Sequence, residues 1–208
     1  MRLLVAAAAL LVTLVTPAAA QRIDATRSQG GIARDRAWCN FEAYPELRLT
    51  HDPNGGRAFA TWDQQAREHR PNAGRYIDLV VMFTPGADGH APASATALFA
   101  VRIEGRPFAR QIASARALAD GKDTGIPLQI EGEMRMDPGS TSALRLTPAL
   151  ANGPRLAALL AAARVVRLDL LDERGALIEA FHWDLPLLHE APRVLAIADW
   201  KCGDAVNR

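Results

Sequence analysis

Five histidines are the residues best suited to acid–base or metal chemistry, and they lie at positions 51, 69, 90, 182 and 189. No two of them have the H-x-H or H-E-x-x-H spacing that places two imidazoles on one metal ion. Only His182 falls inside a predicted strand, two residues before Asp184. The sequence therefore predicts no metal and no other cofactor, and His182 is the histidine to consider for catalysis.

Serine nucleophiles lack the local pattern that usually exposes them. A G-x-S-x-G elbow is missing around each serine of the predicted domain: Ser94, Ser114, Ser140 and Ser142. No glycine-rich phosphate loop ending in lysine is present either. An enzyme would therefore have to assemble its site from distant residues. One such hypothesis is a hydrolase in which His182, Asp184 and a serine of the 140–142 turn meet in three dimensions.

Arginine is the unusual feature of the composition, with 22 arginines against two lysines. Guanidinium groups form paired hydrogen bonds with carboxylates and phosphates. The densest group is Arg102, Arg106 and Arg110, which we treat as a candidate anion-binding site. A GC-rich genome is the favoured explanation of the arginine excess, because it also accounts for the heavy use of alanine.

The two cysteines, Cys39 and Cys202, lie near opposite ends of the predicted domain. They do not form a C-x-x-C pair, which redox catalysts use, and they are too few for a structural zinc site. An even number of cysteines in an exported protein favours a disulfide. Closing so long a loop would stabilise the fold by about 5 kcal/mol at most.

Composition and charge exclude several classes of protein. The 208 residues are 49% hydrophobic and 23% charged, which is typical of a globular domain and not of a disordered chain. Lysine and arginine number 24 against 23 aspartates and glutamates. Because phosphate contacts need a cationic surplus, this balance argues against a nucleic-acid partner.

Residues 1–20 predict a secretory signal peptide. Arg2 precedes an apolar run of 14 residues, and Pro17 leads to the small-residue exit formed by residues 18–20. Removing these 20 residues from 208 leaves 188, and losing Arg2 leaves 23 basic against 23 acidic side chains. The apolar run is too short for a membrane span. We therefore expect a periplasmic or secreted protein that does not span the membrane after cleavage, with a flexible leader over residues 21–37.

Alternating side chains predict a series of short strands, beginning with a hairpin over residues 44–50 and 57–62. The intervening turn contains Asp52-Pro53-Asn54-Gly55-Gly56, a dense turn signal. Residues 75–83 and 96–103 predict two strands separated by a long loop over 84–94. Further strands are predicted over 127–136, 142–147, 165–170 and 177–183, whereas 111–118 fits either a strand or a helix.

Two helices are predicted late in the chain. Residues 154–164 place Leu156, Leu159 and Leu160 on one helical face, and residues 187–200 predict a final helix or helical turn. Together the elements predict a single mainly β domain over residues 38–208, sandwich-like or partly closed, with two short late helices.

The second half of the chain carries a series of patterns in a fixed order. The segment Ile126-Pro-Leu-Gln-Ile-Glu-Gly132 is followed by a strand over 144–146, a leucine helix over 156–160, and a hairpin turned at 173–175. A terminal helix closes the series. This order resembles the exported proteobacterial proteins of the invasion-associated locus B type. The resemblance implies an exported β-rich accessory protein of envelope or host-interaction biology, and it supplies no catalytic residues.

The first functional expectation is therefore an exported, non-enzymatic domain that binds an envelope or host protein. Two alternatives remain open. One is the periplasmic hydrolase assembled from distant residues, and the other is a carrier of a small anionic ligand that uses Arg102, Arg106 and Arg110.

Overall fold

The computed structural model describes residues 30–33, 36–41, 44–52, 57–87, 92–105, 111–131, 141–185, 187–197 and 200. Only the backbone is described for residues 30–33, 36–41, 44–45, 51–52, 57, 141–142 and 197. Within these ranges the chain forms twelve strands and two α-helices. The strands are β1 (Gly30–Ala33), β2 (Arg36–Phe41), β3 (Tyr44–Asp52), β4 (Arg57–Gln65), β5 (Arg75–Pro85), β6 (Pro92–Glu104), β7 (Ser114–Ala119), β8 (Lys122–Asp123), β9 (Leu128–Glu131), β10 (Thr141–Pro148), β11 (Val165–Leu171) and β12 (Leu177–Asp184).

The strands form two antiparallel sheets. The large sheet has eight strands in the order β1-β2-β3-β4-β5-β6-β10-β9, and the small sheet has four in the order β12-β11-β7-β8. The chain leaves the large sheet after β6, forms β7 and β8 in the small sheet, and returns through β9 and β10. Strand β10 therefore pairs with β6, which brings residues of distant sequence onto adjacent strands.

The two α-helices are short and lie late in the chain, as predicted. Helix α1 (Gly153–Ala162) begins after a 3-10 turn at Leu150–Asn152, and helix α2 (Ala191–Ile197) follows another at Leu188–Glu190. Helix α1 buries Leu156, Ala157 and Leu160. No described helix is long and apolar enough to cross a membrane.

The core lies between the inner faces of the two sheets. In β5 every second side chain is buried, as the two-residue period of a strand requires. The largest fully buried side chains include Trp62 and Phe99 of the large sheet and Phe181 and Trp183 of the small one. The rings of Phe99 and Trp183 are 5.3 Å apart, so the two sheets are in direct contact. This arrangement confirms the predicted β-rich, sandwich-like fold class.

Two segments predicted to be irregular contain strand residues. Residues 30–33 and 36–41 form β1 and β2. Residues 21–29 and 34–35 of the predicted flexible leader, 21–37, lie outside the described part of the chain. Strand β2 extends the edge of β3 by backbone hydrogen bonds, which do not depend on a side-chain pattern. The expected loop over 84–94 is also shorter, because β5 continues to Pro85 and β6 begins at Pro92.

The ambiguous segment 111–118 resolves as a strand. Residues Ser114–Ala119 form β7, whose Ala115 and Ala117 face the core. The strand predicted over 127–136 is β9 (Leu128–Glu131), and residues 132–136 lie outside the described part of the chain.

Candidate functional site

The outer face of the large sheet carries the side chains that alternate with the core residues. On β5 these are Tyr76, Asp78 and Val80, and on β6 they are Leu98, Ala100 and Arg102. Strand register places them side by side, since Tyr76 lies opposite Arg102, Asp78 opposite Ala100, and Val80 opposite Leu98.

A groove with a volume of about 580 Å³ crosses this face. It is lined by residues of β5, β6, β9 and β10: Tyr76, Asp78, Val80, Leu98, Ala100, Val101, Arg102, Glu131, Ala143, Leu144 and Arg145. We call it the outer-sheet groove. Its volume falls within the range of small-molecule sites, roughly 300–1,000 Å³.

Two alanines occupy the middle of the groove between longer neighbours. Ala100 lies between Asp78 on one adjacent strand and Arg145 on the other, and Ala143 lies opposite Arg102. Side chains on one face of a sheet stand roughly perpendicular to it. Short side chains between long ones therefore leave a depression, with charged groups on its walls and apolar atoms on its floor.

Arg102 lies along one wall of the outer-sheet groove. Its guanidinium carbon stands 4.0 Å from the ring centroid of Tyr76, within the range of a cation–π contact. Its Nη2 donates to Glu104 Oε1 at 3.2 Å. Its Nε is buried and has no hydrogen-bond partner among the described residues. The group is therefore held in place while part of its hydrogen-bonding capacity stays unused.

Arg145 approaches the same part of the groove from β10. It lies diagonally across from Arg102, because Arg145 pairs with Ala100 and Ala143 pairs with Arg102. Diagonal neighbours on adjacent strands are within reach of each other's long side chains. The Nε of Arg145 is 3.9 Å from Glu131 Oε2, and both side chains are more than half exposed. Two guanidinium groups can therefore converge on one anion.

Asp78 forms the opposite wall and belongs to a small cluster with Asp63 and His69. Its Oδ1 lies 3.2 Å from His69 Nδ1, which also accepts a hydrogen bond from the Ile77 N–H at 3.1 Å. Burial raises the pKa of Asp78, and the nearby carboxylate of Asp63 adds to the rise. Burial likewise raises the pKa of Asp63, although Arg48 opposes it.

The outer face of the small sheet contains a different set of charges, centred on Asp169. This carboxylate is 1% exposed and accepts from Nη2 of Arg116 at 2.8 Å and from Nε of Arg167. A buried carboxylate is costly unless it is paired and hydrogen-bonded, and both of its oxygens are satisfied here. These contacts account for Asp169 as a structural residue.

The residues of the hydrolase hypothesis contact other partners. The imidazole Nδ1 of His182 lies 2.7 Å from Glu68 Oε1, while Asp184 forms a two-point pair with Arg67. The Arg67 guanidinium holds the pKa of Asp184 below its ordinary value. Ser140 lies outside the described residues, and Ser142 stands on β10, in the sheet opposite to that of His182.

Several other predicted residues cannot be placed. Arg106, Arg110 and Cys202 lie outside the described residues, and only the backbone of Cys39 is described, on β2. The Cys39–Cys202 disulfide therefore stays a prediction. Of the predicted anion-binding set, Arg102 is the member with a described position, and it lines the outer-sheet groove.

Sequence reasoning missed Tyr76, Asp78 and Arg145. Residues 75–83 and 96–103 were predicted as two strands, but the prediction gave neither the outward face of each strand nor the register between them. The pairing of β10 with β6 depends on the excursion through the small sheet. Arg145 therefore had no sequence signal that linked it to Arg102.

Within the described ranges, no three histidine, cysteine, aspartate or glutamate side chains converge as metal ligands would. Comparison with protein-family models, with curated protein sequences and with solved structures gave no match. The resemblance to proteins of the invasion-associated locus B type stays a prediction from the order of elements.

Proposed function

We propose that this protein is an exported, non-enzymatic binding protein whose outer-sheet groove takes a small amphipathic ligand. The observation that carries the proposal is the position of Arg102 and Arg145 beside an apolar floor in one groove. This is a narrower form of the anion-carrier hypothesis, with Arg145 as the second cation.

The chemistry of the lining suits a ligand with an apolar body and an anionic group. Val80, Leu98 and Ala100 offer aliphatic surface, which favours the body of the ligand by about 25 cal/mol for each Å² removed from water. The forks of Arg102 and Arg145 suit a carboxylate, sulfonate or phosphate oxygen pair. Stacking on Tyr76 limits the rotamer freedom of Arg102, so less entropy is lost when it binds.

Two residues that a hydrolase would need, His182 and Asp184, take part in structural contacts. The Arg67 N–H donates to the His182 carbonyl oxygen at 2.7 Å, and the His182 N–H donates to Glu68 Oε2 at 2.8 Å. These bonds cover the outer edge of β12, which would otherwise leave backbone groups unpaired. The pairs His182–Glu68 and Asp184–Arg67 thus have a role in holding the turn after β4 against the small sheet.

The proposed location rests on the signal-peptide pattern of residues 1–20. Expression of the full chain in a Gram-negative host should yield a periplasmic or secreted protein whose first residue is Gln21. Amino-terminal sequencing and intact mass measure this directly. Recovery of a cytoplasmic chain that still begins with residues 1–20 would contradict export.

Binding to the groove can be measured with 8-anilinonaphthalene-1-sulfonate, an aromatic body that carries one anionic group. We expect saturable fluorescence enhancement, and we expect Arg102→Gln to weaken the affinity about tenfold because a charge-assisted hydrogen bond is lost. Ala100→Leu should weaken it by a similar factor because the larger side chain fills the floor of the groove.

Arg174→Gln is the matched control. Arg174 is exposed in the β11–β12 turn, so this substitution removes one positive charge outside the groove. Its affinity should stay within twofold of the original protein. Equal binding by the original protein, Arg102→Gln and Ala100→Leu would contradict the proposed site.

A further inference from the structure

We infer that the ligand of the outer-sheet groove is a zwitterion with an apolar body, namely a short peptide with free termini, and this inference rests on the proposed function. Its carboxylate would lie between Arg102 and Arg145, and its ammonium group would contact Asp78. Asp78 then acts as a specificity-determining residue.

The strand register sets opposite charges on the two sides of the groove. Asp78 and Arg145 both lie level with Ala100, one on each neighbouring strand. Adjacent strands are about 4.8 Å apart, so the two backbone positions are separated by about 9.6 Å. The charged groups therefore face each other across the alanine floor and do not pair with each other.

The charges on the two walls of the groove favour a ligand with one group of each sign over a ligand with a single charge. A simple anion at Arg102 and Arg145 would leave Asp78, whose Oδ1 lies 3.2 Å from His69 Nδ1, without a ligand partner. A simple cation at Asp78 would leave Arg102 and Arg145 with only Glu104 and Glu131 as their acidic partners among the described residues. A ligand with one group of each sign contacts both walls, whereas a ligand with a single charge contacts one wall and binds more weakly.

The span suits a dipeptide. An extended chain covers at most about 3.5 Å per residue, so the termini of a dipeptide lie roughly 7 Å apart. This span is less than the separation of about 9.6 Å between the two backbone positions, so both termini can lie between the walls and hydrogen-bond to the side chains that rise from them. Apolar side chains of such a peptide would lie against Val80 and Leu98.

Asp78 is placed to respond to a ligand ammonium group. The groups that face it are Asp63 from β4, Tyr76 on its own strand, Arg102 from β6, Arg145 from β10, and His69 from the preceding turn. Its pKa is raised by burial and by Asp63. An ammonium group in contact would lower the pKa again, so binding and ionisation of Asp78 support each other.

The test uses four dileucines: one with free termini, one N-acetylated, one C-amidated, and one blocked at both ends. Isothermal titration calorimetry at pH 7 should give the free dipeptide the highest affinity, about tenfold above either singly blocked form. Asp78→Asn should weaken the free dipeptide about tenfold and leave the N-acetylated form within twofold.

Comparing pH 7 with a more acidic pH gives a second readout, because burial raises the pKa of Asp78. Protonation of Asp78 removes the partner of the ammonium group, so the preference for free over N-acetylated dileucine should decrease as the pH falls. In Asp78→Asn the preference should be small at both values. Glu173→Gln removes an exposed carboxylate from the β11–β12 turn and should behave like the original protein.

Two outcomes would overturn the inference. Equal affinity for free and N-acetylated dileucine, with no effect of Asp78→Asn, would show that the groove does not bind the ammonium group. Absence of peptide binding, alongside Arg102-dependent binding of 8-anilinonaphthalene-1-sulfonate, would exclude the peptide while the proposed site stands. Failure of both probes would contradict the proposed function itself.

Discussion

Replacing Trp183 with alanine should lower the free energy of unfolding by about 3–5 kcal/mol, which is typical of a large aromatic residue lost from a core. Trp183 is fully buried in β12 of the small sheet, and its ring packs 5.3 Å from that of Phe99 in the large sheet. Its Nε1 also donates to the Gln64 carbonyl oxygen at 2.9 Å. The residue therefore contributes packing and a hydrogen bond between the two sheets. Urea denaturation followed by far-ultraviolet circular dichroism measures the change.

Two further variants separate these contributions. Trp183→Phe keeps an aromatic ring but loses the hydrogen bond and part of the volume, so it should cost about 1–2 kcal/mol. Leu187→Ala removes an apolar side chain that is 42% exposed, and it should change stability by less than about 1 kcal/mol. If Trp183→Ala were no less stable than Leu187→Ala, the proposed contact between the sheets would be wrong.

The sequence predicted the positions of helices and strands along the chain better than it predicted which strands pair. Dense turn residues between 51 and 56 and the alternation around Leu47 and Leu49 were enough to predict the β3–β4 hairpin. The leucine spacing around Leu156 and Leu160 was enough to predict α1. These signals are local, since a turn and a helical face each depend on residues close together in sequence.

The edge strands and the groove depend on longer-range information. Strand β2 attaches by backbone pairing to β3, so its side chains carry no required pattern. The groove needs the register of β5 with β6 and of β6 with β10, and a shift of one residue would turn every side chain to the other face. The sequence predicted a strand that contains Arg102, but it could not place Arg145 or Asp78 beside that residue.

The turn that precedes β5 contains a steric constraint, and the only sign of it in the sequence is one glycine. Gly74 follows the 3-10 helix Pro71–Ala73 and adopts a left-handed conformation with φ of 65°. A Cβ added there would lie 2.7 Å from the Cβ of Glu104, far closer than such atoms approach. The Glu104 N–H donates to the Gly74 carbonyl oxygen at 2.9 Å, so the two residues cannot separate freely.

Replacing Gly74 with alanine should therefore lower the free energy of unfolding by about 3 kcal/mol. The left-handed conformation accounts for about 1–2 kcal/mol, and the clash with Glu104 adds a similar amount. Gly175→Ala is the matched control, because Gly175 has a φ of 76° but no atom within 4 Å of an added Cβ. The control should lose only the conformational part, about 1 kcal/mol.

The double variant Gly74→Ala with Glu104→Gly tests whether the loss of stability in Gly74→Ala comes from steric overlap with Glu104. Removing the Cβ of residue 104 should recover the steric part of the loss, apart from the cost of a glycine at the end of β6. Thermal and urea denaturation of the original protein, the two single glycine variants and the double variant measure these differences. Equal losses in Gly74→Ala and Gly175→Ala would contradict the close approach of β5 and β6 at this turn. Since Arg102 and Tyr76 lie two residues from Glu104 and Gly74 respectively, the same close approach positions one wall of the outer-sheet groove.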